Sequence, residues 1–182
     1  MLIIEGSDCL GKTTFAKKVV KRVSELGYPV VYSWMTRPNE SIFDFFLDYR
    51  KMINPYAVQD RFHLGGLAYH HNKIFPRELK IINSWIRSVG GLIVVLFAGD
   101  EEWYEQRIRE DERGNLLNWP ILCEANKIFK EYGLGGDCDF SLDILPENCQ
   151  QPVPKKIPCF VENIGIETIM REWINRRELL GI

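Results

Sequence analysis

The sequence predicts an α/β fold, a parallel sheet of about five strands flanked by helices in three layers, as a single domain over residues 1–182. Three observations carry this. Short apolar runs alternate with stretches of helical periodicity along the chain. Several runs are apolar throughout, LIVVLFA at 92–98 above all, as strands covered on both faces must be. The chain has 182 residues, 46% hydrophobic and 26% charged, which is enough to bury a core without covalent staples.

The elements follow in order. Residues 2–5 read as a short buried strand. Residues 12–26 place Phe15, Val19, Val20, Val23 and Leu26 at helical spacing, and Gly27 ends that helix. PVVYSW at 29–34 is a second strand. SIFDFFLDYRKM at 41–52 is a helix with Ser41 as its N-cap and a bulky apolar face. Residues 56–59 form a short third strand running into Asp60-Arg61. Helices at 63–74 and 77–88 are separated by Pro76. Gly90-Gly91 turns into the strand at 92–98. Residues 101–112 make a charged helix, and 120–132 another. Residues 133–158 hold four prolines and three glycines and read as an irregular insertion with one short strand near 140–144. A last strand at 160–162 and a helix at 167–180 close the chain.

Composition narrows the function. A formal charge of −2 gives no global attraction for nucleic acid or an anionic membrane, so an anionic ligand must be held by local cations. No apolar run reaches the ~20 residues of a membrane span. The five cysteines, Cys9, Cys123, Cys138, Cys149 and Cys159, are odd in number and form no C-x-x-C pair. They read as small buried fillers. With no leader-like segment, the expected location is the cytoplasm.

The strongest local signal is Gly6-Ser7-Asp8-Cys9-Leu10-Gly11-Lys12-Thr13, which fits G-x-x-x-x-G-K-[ST] between a strand and a helix. The glycines let the backbone turn its N–H groups inward, and the helix adds its positive end. Lys12 reaches the β and γ phosphates of a nucleotide, and the Thr13 hydroxyl ligates Mg²⁺. The expected fold is thus of the P-loop NTPase type, with ATP and Mg²⁺ as cofactors and residues 6–14, Thr14 included, around the phosphates.

A GTPase needs N-K-x-D, but Asn126-Lys127-Ile128-Phe129 lacks the acid. A motor-type ATPase needs an acid at the very end of an apolar strand, but Ala98 and Gly99 separate Asp100 from the run. A small-molecule kinase needs an acceptor site and added cations. Asp60-Arg61 ends a strand, where α/β ligands bind. Arg107, Arg109 and Arg113 lie on and beyond a charged helix and suit bidentate phosphate contact. The alternatives are a surface ion pair for the first cluster, and for the second a solvated helix face paired with Glu105, Glu110 and Glu112. His63, His70 and His71 read as ordinary helix residues, with His70 a candidate lining of the acceptor pocket.

These residues resemble the thymidylate kinase family of P-loop nucleotide and deoxynucleoside kinases. The family's E-G-x-D-G-x-G-K-[ST]-[ST] is similar to residues 5–14, departing at Cys9. Its T-R-E-P is loosely matched by Thr36-Arg37-Pro38, and its D-R-Y-x-x-S-x-x-A-Y-Q is similar to residues 60–70, with Gly65 for Ser and His70 for Gln. Its arginine-bearing lid is similar to residues 107–113, giving a lid at about 107–118.

The resemblance implies roles. Lys12 and Thr13 would hold ATP and Mg²⁺. Asp8 would contact the acceptor's 3′-hydroxyl, Arg37 and Arg61 its 5′-phosphate, and Asp60 the Mg²⁺ or the attacking oxygen. Phe62, Tyr69 and His70 would line the acceptor, Tyr69 at the sugar edge. With no basic residue among Ser7 to Leu10, Arg107, Arg109 and Arg113 would supply the catalytic charge. Only residues 38–59 separate Arg37 from Asp60, shorter than the family's base-reading stretch. Phe43, Phe46 and Tyr49 are candidates to stack on a base, with core packing the alternative.

The expected activity is transfer of the ATP γ-phosphoryl to a deoxynucleoside monophosphate, dTMP first. The alternatives are a nucleoside 5′-hydroxyl or a hydroxymethylated base as acceptor, or a non-catalytic ATP-binding switch. A small-molecule nucleotide is the expected partner, not nucleic acid or membrane. A homodimer through the apolar face of 63–74 is also implied, with core packing again the alternative.

Overall fold

The computed structural model describes residues 1–35, 45–69, 76–111, 118–144 and 165–182. Five strands, β1 (Leu2–Gly6), β2 (Val31–Trp34), β3 (Ala57–Asp60), β4 (Leu92–Phe97) and β5 (Phe140–Asp143), form one sheet in the order β2-β3-β1-β4-β5. Every pairing is parallel. Parallel neighbours need crossover connections, and here helices supply them. The helices are α1 (Lys12–Glu25), α2 (Phe45–Lys51), α3 (Leu64–Tyr69), α4 (Pro76–Ser88), α5 (Glu101–Arg109), α6 (Trp119–Leu134) and α7 (Ile166–Leu179).

Strand alternation divides the core in two. Leu2, Ile4, Val58, Leu92, Val94 and Leu96 face α1 and α7, against Phe15, Val19, Val23, Ile169, Met170 and Trp173. Ile3, Ile93, Val95 and Phe97 face the other way, against Leu64 and Ala68 of α3, Leu79, Ile82 and Ile86 of α4, and Ala125 and Phe129 of α6. Each fully buried aliphatic side chain contributes roughly 1.5–3 kcal/mol, so the central strands β1 and β4 anchor the fold. The apolar face of α3 offered as a dimer surface is therefore core over its described length.

Local chemistry sets the boundaries. Asp100 caps α5, accepting from Trp103 N–H at 2.9 Å. Asn118 caps α6, with Pro120 in its first turn. Pro76 opens α4 instead of merely separating two helices, since a first-turn residue needs no N–H donor. The sheet takes up β2 at Val31, two residues later than expected: the Val31 N–H donates to Tyr56 O, while the Pro29 carbonyl accepts from Arg177. Helix α5 stops at Arg109, short of Glu112, and α6 continues to Leu134, two residues past the expected end. The expected strand at 160–162 lies outside the described residues. No described helix is long and apolar enough to cross a membrane.

Candidate active site

The phosphate-loop motif occupies the turn between β1 and α1, at the carboxyl end of the sheet. Gly6 has φ 142°, and a Cβ there would lie 2.2 Å from Leu96 O, so only glycine fits beside β4. Gly11, φ 79°, is the N-cap of α1, with no side-chain cap and no acidic residue in the first turn. The positive end of α1 is therefore not neutralised by its own sequence. Leu10 is buried in the core, so it offers the loop only its backbone, and Thr14 is exposed. Ser7 is also buried and donates to Leu122 O at 3.0 Å.

Lys12 folds over this loop. Its ammonium donates to Ser7 O at 2.6 Å and to Asp8 Oδ1 at 3.2 Å. Arg61 pairs with the same Asp8 oxygen. Burial acts to raise the Asp8 carboxyl, but the charges of Lys12 and Arg61 and their hydrogen bonds hold it below its ordinary value. Burial, with Arg61 adding to it, lowers Lys12. Arg61 has φ 65°, a left-handed conformation that costs a non-glycine residue about 1–3 kcal/mol. Its N–H donates to Ile4 O at 3.0 Å, which fixes the turn and directs the side chain at the loop.

Asp60, at the end of β3, is fully buried. Its Oδ2 accepts from Thr13 Oγ1 at 2.5 Å and from Tyr32 OH at 3.1 Å. Its Oδ1 has no hydrogen-bond partner among the described residues. No three described His, Cys, Asp or Glu residues gather as a metal cluster. Mg²⁺ needs none, because it takes one or two protein oxygens and completes its shell with phosphates and water. An orphaned carboxylate oxygen beside a loop hydroxyl fits that ion.

Beneath the loop, Glu5 accepts from the N–H groups of Phe62 at 3.0 Å and Leu64 at 2.9 Å, and so fixes the start of α3. Burial pushes its carboxyl up to about 7, against the two N–H groups, Lys12 and Arg61. Its neighbour His63 is buried, bonds Asn83 Oδ1 at 2.6 Å and is lowered to about 4 by burial, so it is a neutral core histidine. Phe62 and Tyr49 are buried against each other, with ring centroids 4.8 Å apart. Tyr69 turns its hydroxyl to the loop, where it accepts the Asp8 N–H at 3.1 Å.

On the far side, α5 separates two of the expected cations. Positions 107 and 109 are about 200° apart around a helix. Arg107 donates to Cys9 O at 2.6 Å and lies over Trp103. Arg109 pairs with Glu105 and lies over Trp119, in the i,i+4 arrangement of a solvated face. Cys9, φ 63°, donates to Asp111 Oδ2 at 3.5 Å. The structure thus brings Asp8, Lys12, Thr13, Asp60, Arg61 and Arg107 around one loop. Arg37, His70 and Arg113 lie outside the described residues.

No family model and no curated protein matches the chain. Solved structures do. The YorR protein of Bacillus subtilis, in complex with phosphorylated GDP, is 21% identical with a TM-score of 0.60, over 99% of this chain and 96% of that one. A gluconokinase from Sinorhizobium meliloti is 13% identical with a TM-score of 0.49, over 98% and 91%. A deoxyadenosine kinase from M. mycoides with bound dATP is 15% identical with a TM-score of 0.42, over 90% and 98%. The likeness to the YorR protein is one of fold, a three-layer α/β architecture, in agreement with the all-parallel sheet.

Sequence reasoning matched Glu5 to the first position of the family motif but gave it no role, and passed over Tyr32 and Tyr104. Tyr32 was hidden in an apolar strand run. Tyr104 sits on the apolar face of a charged helix with Ile108, four residues on, and nothing but that spacing marks it.

Proposed function

We propose that the protein is an ATP-dependent kinase that phosphorylates the 5′-phosphate of a deoxynucleoside monophosphate, dTMP being the first acceptor to test. The observation that carries this reading is the junction of two elements. Thr13 of the loop meets Asp60 of β3, and Asp8 of the loop meets Arg61 directly after β3. A donor gripped by the loop and an acceptor phosphate drawn to Arg61 would face each other there. Asp60 already accepts from Thr13 and would be committed further by a metal, which makes it a poor base for a hydroxyl acceptor and favours a phosphate that is already ionised.

An acceptor phosphate oxygen forms a bond to the γ-phosphorus as the bond to the β–γ bridging oxygen breaks, and ADP leaves with that electron pair. Thr13 and Asp60 would hold Mg²⁺, which neutralises phosphate charge when bound. Lys12 would leave Ser7 O and Asp8 for the β and γ phosphates, a better-matched anion for a buried ammonium. Arg61 would orient the acceptor, and the chemistry would otherwise be positioning.

The test is ADP release coupled to an indicator reaction, over a panel of deoxynucleoside and ribonucleoside monophosphates and the matching nucleosides. Stimulation by a monophosphate is the expected result. Stimulation by nucleosides alone overturns the acceptor class, and stimulation by none overturns the kinase.

A further inference from the structure

Helix α5 touches the phosphate loop at two successive carbonyls. Tyr104 OH donates to Asp8 O at 2.7 Å, and Arg107 Nε donates to Cys9 O at 2.6 Å. The two residues are three apart, so they share one helix face and meet adjacent peptides. Tyr104 is buried, 1% exposed, and its hydroxyl lies 2.5 Å from Ser7 Oγ. Ser7 in turn donates to Leu122 O of α6. The other side of the same residue is held too, since the Asp8 N–H donates to Tyr69 of α3.

A trans peptide points its N–H opposite its C=O. Tying the Asp8 and Cys9 carbonyls to α5 therefore turns the N–H groups of Cys9 and Leu10 away from α5. The tie also spans Cys9, whose left-handed φ of 63° costs a non-glycine residue energy that something must hold in place. A glycine would adopt that turn unaided. Here a helix imposes it.

We propose that Tyr104 is a positioning residue of the phosphate loop, acting with Arg107 to aim the Cys9 and Leu10 N–H groups at the nucleotide's phosphates. Arg107 thereby serves the loop's backbone as well as its charge. The inference rests on the phosphate-binding part of the proposed function and not on the acceptor.

The experiment measures binding of Mg·ADP and of inorganic tripolyphosphate to the full chain and to Tyr104→Phe, which removes one oxygen and keeps the buried ring. Thermal melting without ligand is recorded in parallel. The expected result is about a tenfold loss of affinity, the same for ADP and tripolyphosphate, equivalent to ~1.4 kcal/mol. Cys9→Gly in the Tyr104→Phe background should recover part of the loss, because glycine adopts the turn without the tie. Arg107→Met combined with Tyr104→Phe should lose less than the product of the two single losses, because both hold one loop conformation. A merely structural tyrosine would lower the melting temperature and leave tripolyphosphate affinity of the folded protein unchanged, which overturns the proposal. If Tyr104→Phe fails to fold, Arg107→Met alone decides: unchanged tripolyphosphate affinity overturns it. A wild-type chain that binds neither probe overturns the phosphate-loop reading itself, a distinguishable failure.

Discussion

Replacing Glu5 with glutamine should change how stability depends on pH more than it changes stability itself. Glu5 is fully buried and raised from 4.5 to about 7, by burial first, against the Leu64 and Phe62 N–H groups, Lys12 and Arg61. The folded state thus prefers its neutral form. Its contribution is fully present below 4.5 and is lost as pH rises through about 7. At ~1.36 kcal/mol per pKa unit the loss is about 3 kcal/mol. His63, lowered from 6.5 to about 4 by burial first, has the opposite slope. Its contribution is present above 6.5 and is lost as pH falls through about 4, again about 3 kcal/mol. Between 4.5 and 6.5 the two slopes oppose, and their sum in the wild type is small. Glutamine keeps an acceptor for the Phe62 and Leu64 N–H groups and cannot ionise. The difference in stability, variant minus wild type, should therefore move by about 3 kcal/mol in the variant's favour between pH 4.5 and pH 8, whatever its offset. Denaturant titrations at intervals of one pH unit, with equal m-values, measure it. Parallel stability profiles for the two proteins would refute the buried, neutral Glu5.

Three further outcomes follow from the same geometry. Asp60→Asn should lower kcat by at least about 10–100-fold and raise the Mg²⁺ concentration needed for half-maximal rate, read from a magnesium titration; an unchanged magnesium requirement removes Asp60 from the metal. Arg61→Ala should cut kcat/KM for the monophosphate about 10–100-fold with little change in KM for ATP, since a charge-assisted phosphate contact is worth ~1.5–3 kcal/mol; equal losses for both substrates would argue for a collapsed turn instead. Gly6→Ala should cost about 3 kcal/mol or more in denaturant titration, because its Cβ would lie 2.2 Å from Leu96 O, and a cost under 1 kcal/mol would mean that β1 and β4 can part.

How much of this was legible in the sequence depends on how local each cause is. The order of strands and helices was readable because burial on both faces writes itself into continuous apolar runs, as at Leu92–Phe97. The loop was readable because its glycines, Lys12 and Thr13 act within a few residues of one another. Element ends were less so: Val31 begins β2 because Tyr56 lies across from it, a partner 25 residues away. The site's other half was legible only as chemistry without geometry. Asp60 and Arg61 were recognisable, but not that Thr13 and Tyr32 share Asp60, or that Asp8 gathers Arg61 and Lys12. Arg107 and Arg109 looked equivalent in a charged helix, and the 100° step per residue then put one on the loop and the other beside Glu105.

Among the described residues, the two non-glycine residues with positive φ, Cys9 and Arg61, fall on the two turns that meet at the candidate site. Each costs about 1–3 kcal/mol, more than a surface turn would retain without cause. Their neighbours explain what the strain accomplishes. Left-handed Arg61 follows Asp60 without an intervening spacer, so carboxylate and guanidinium leave one strand end in different directions, toward Thr13 and toward Asp8. Left-handed Cys9 lets Asp8 O and Cys9 O both reach α5 while Lys12 still closes on Ser7 O. An extended backbone at either position would send one of each pair elsewhere. The strain is offset by the dry layers around β1 and β4, whose buried aliphatic side chains contribute roughly 1.5–3 kcal/mol apiece. Stability gained in the centre of the sheet thus holds in place, at its carboxyl edge, two turns that the local sequence would not adopt alone.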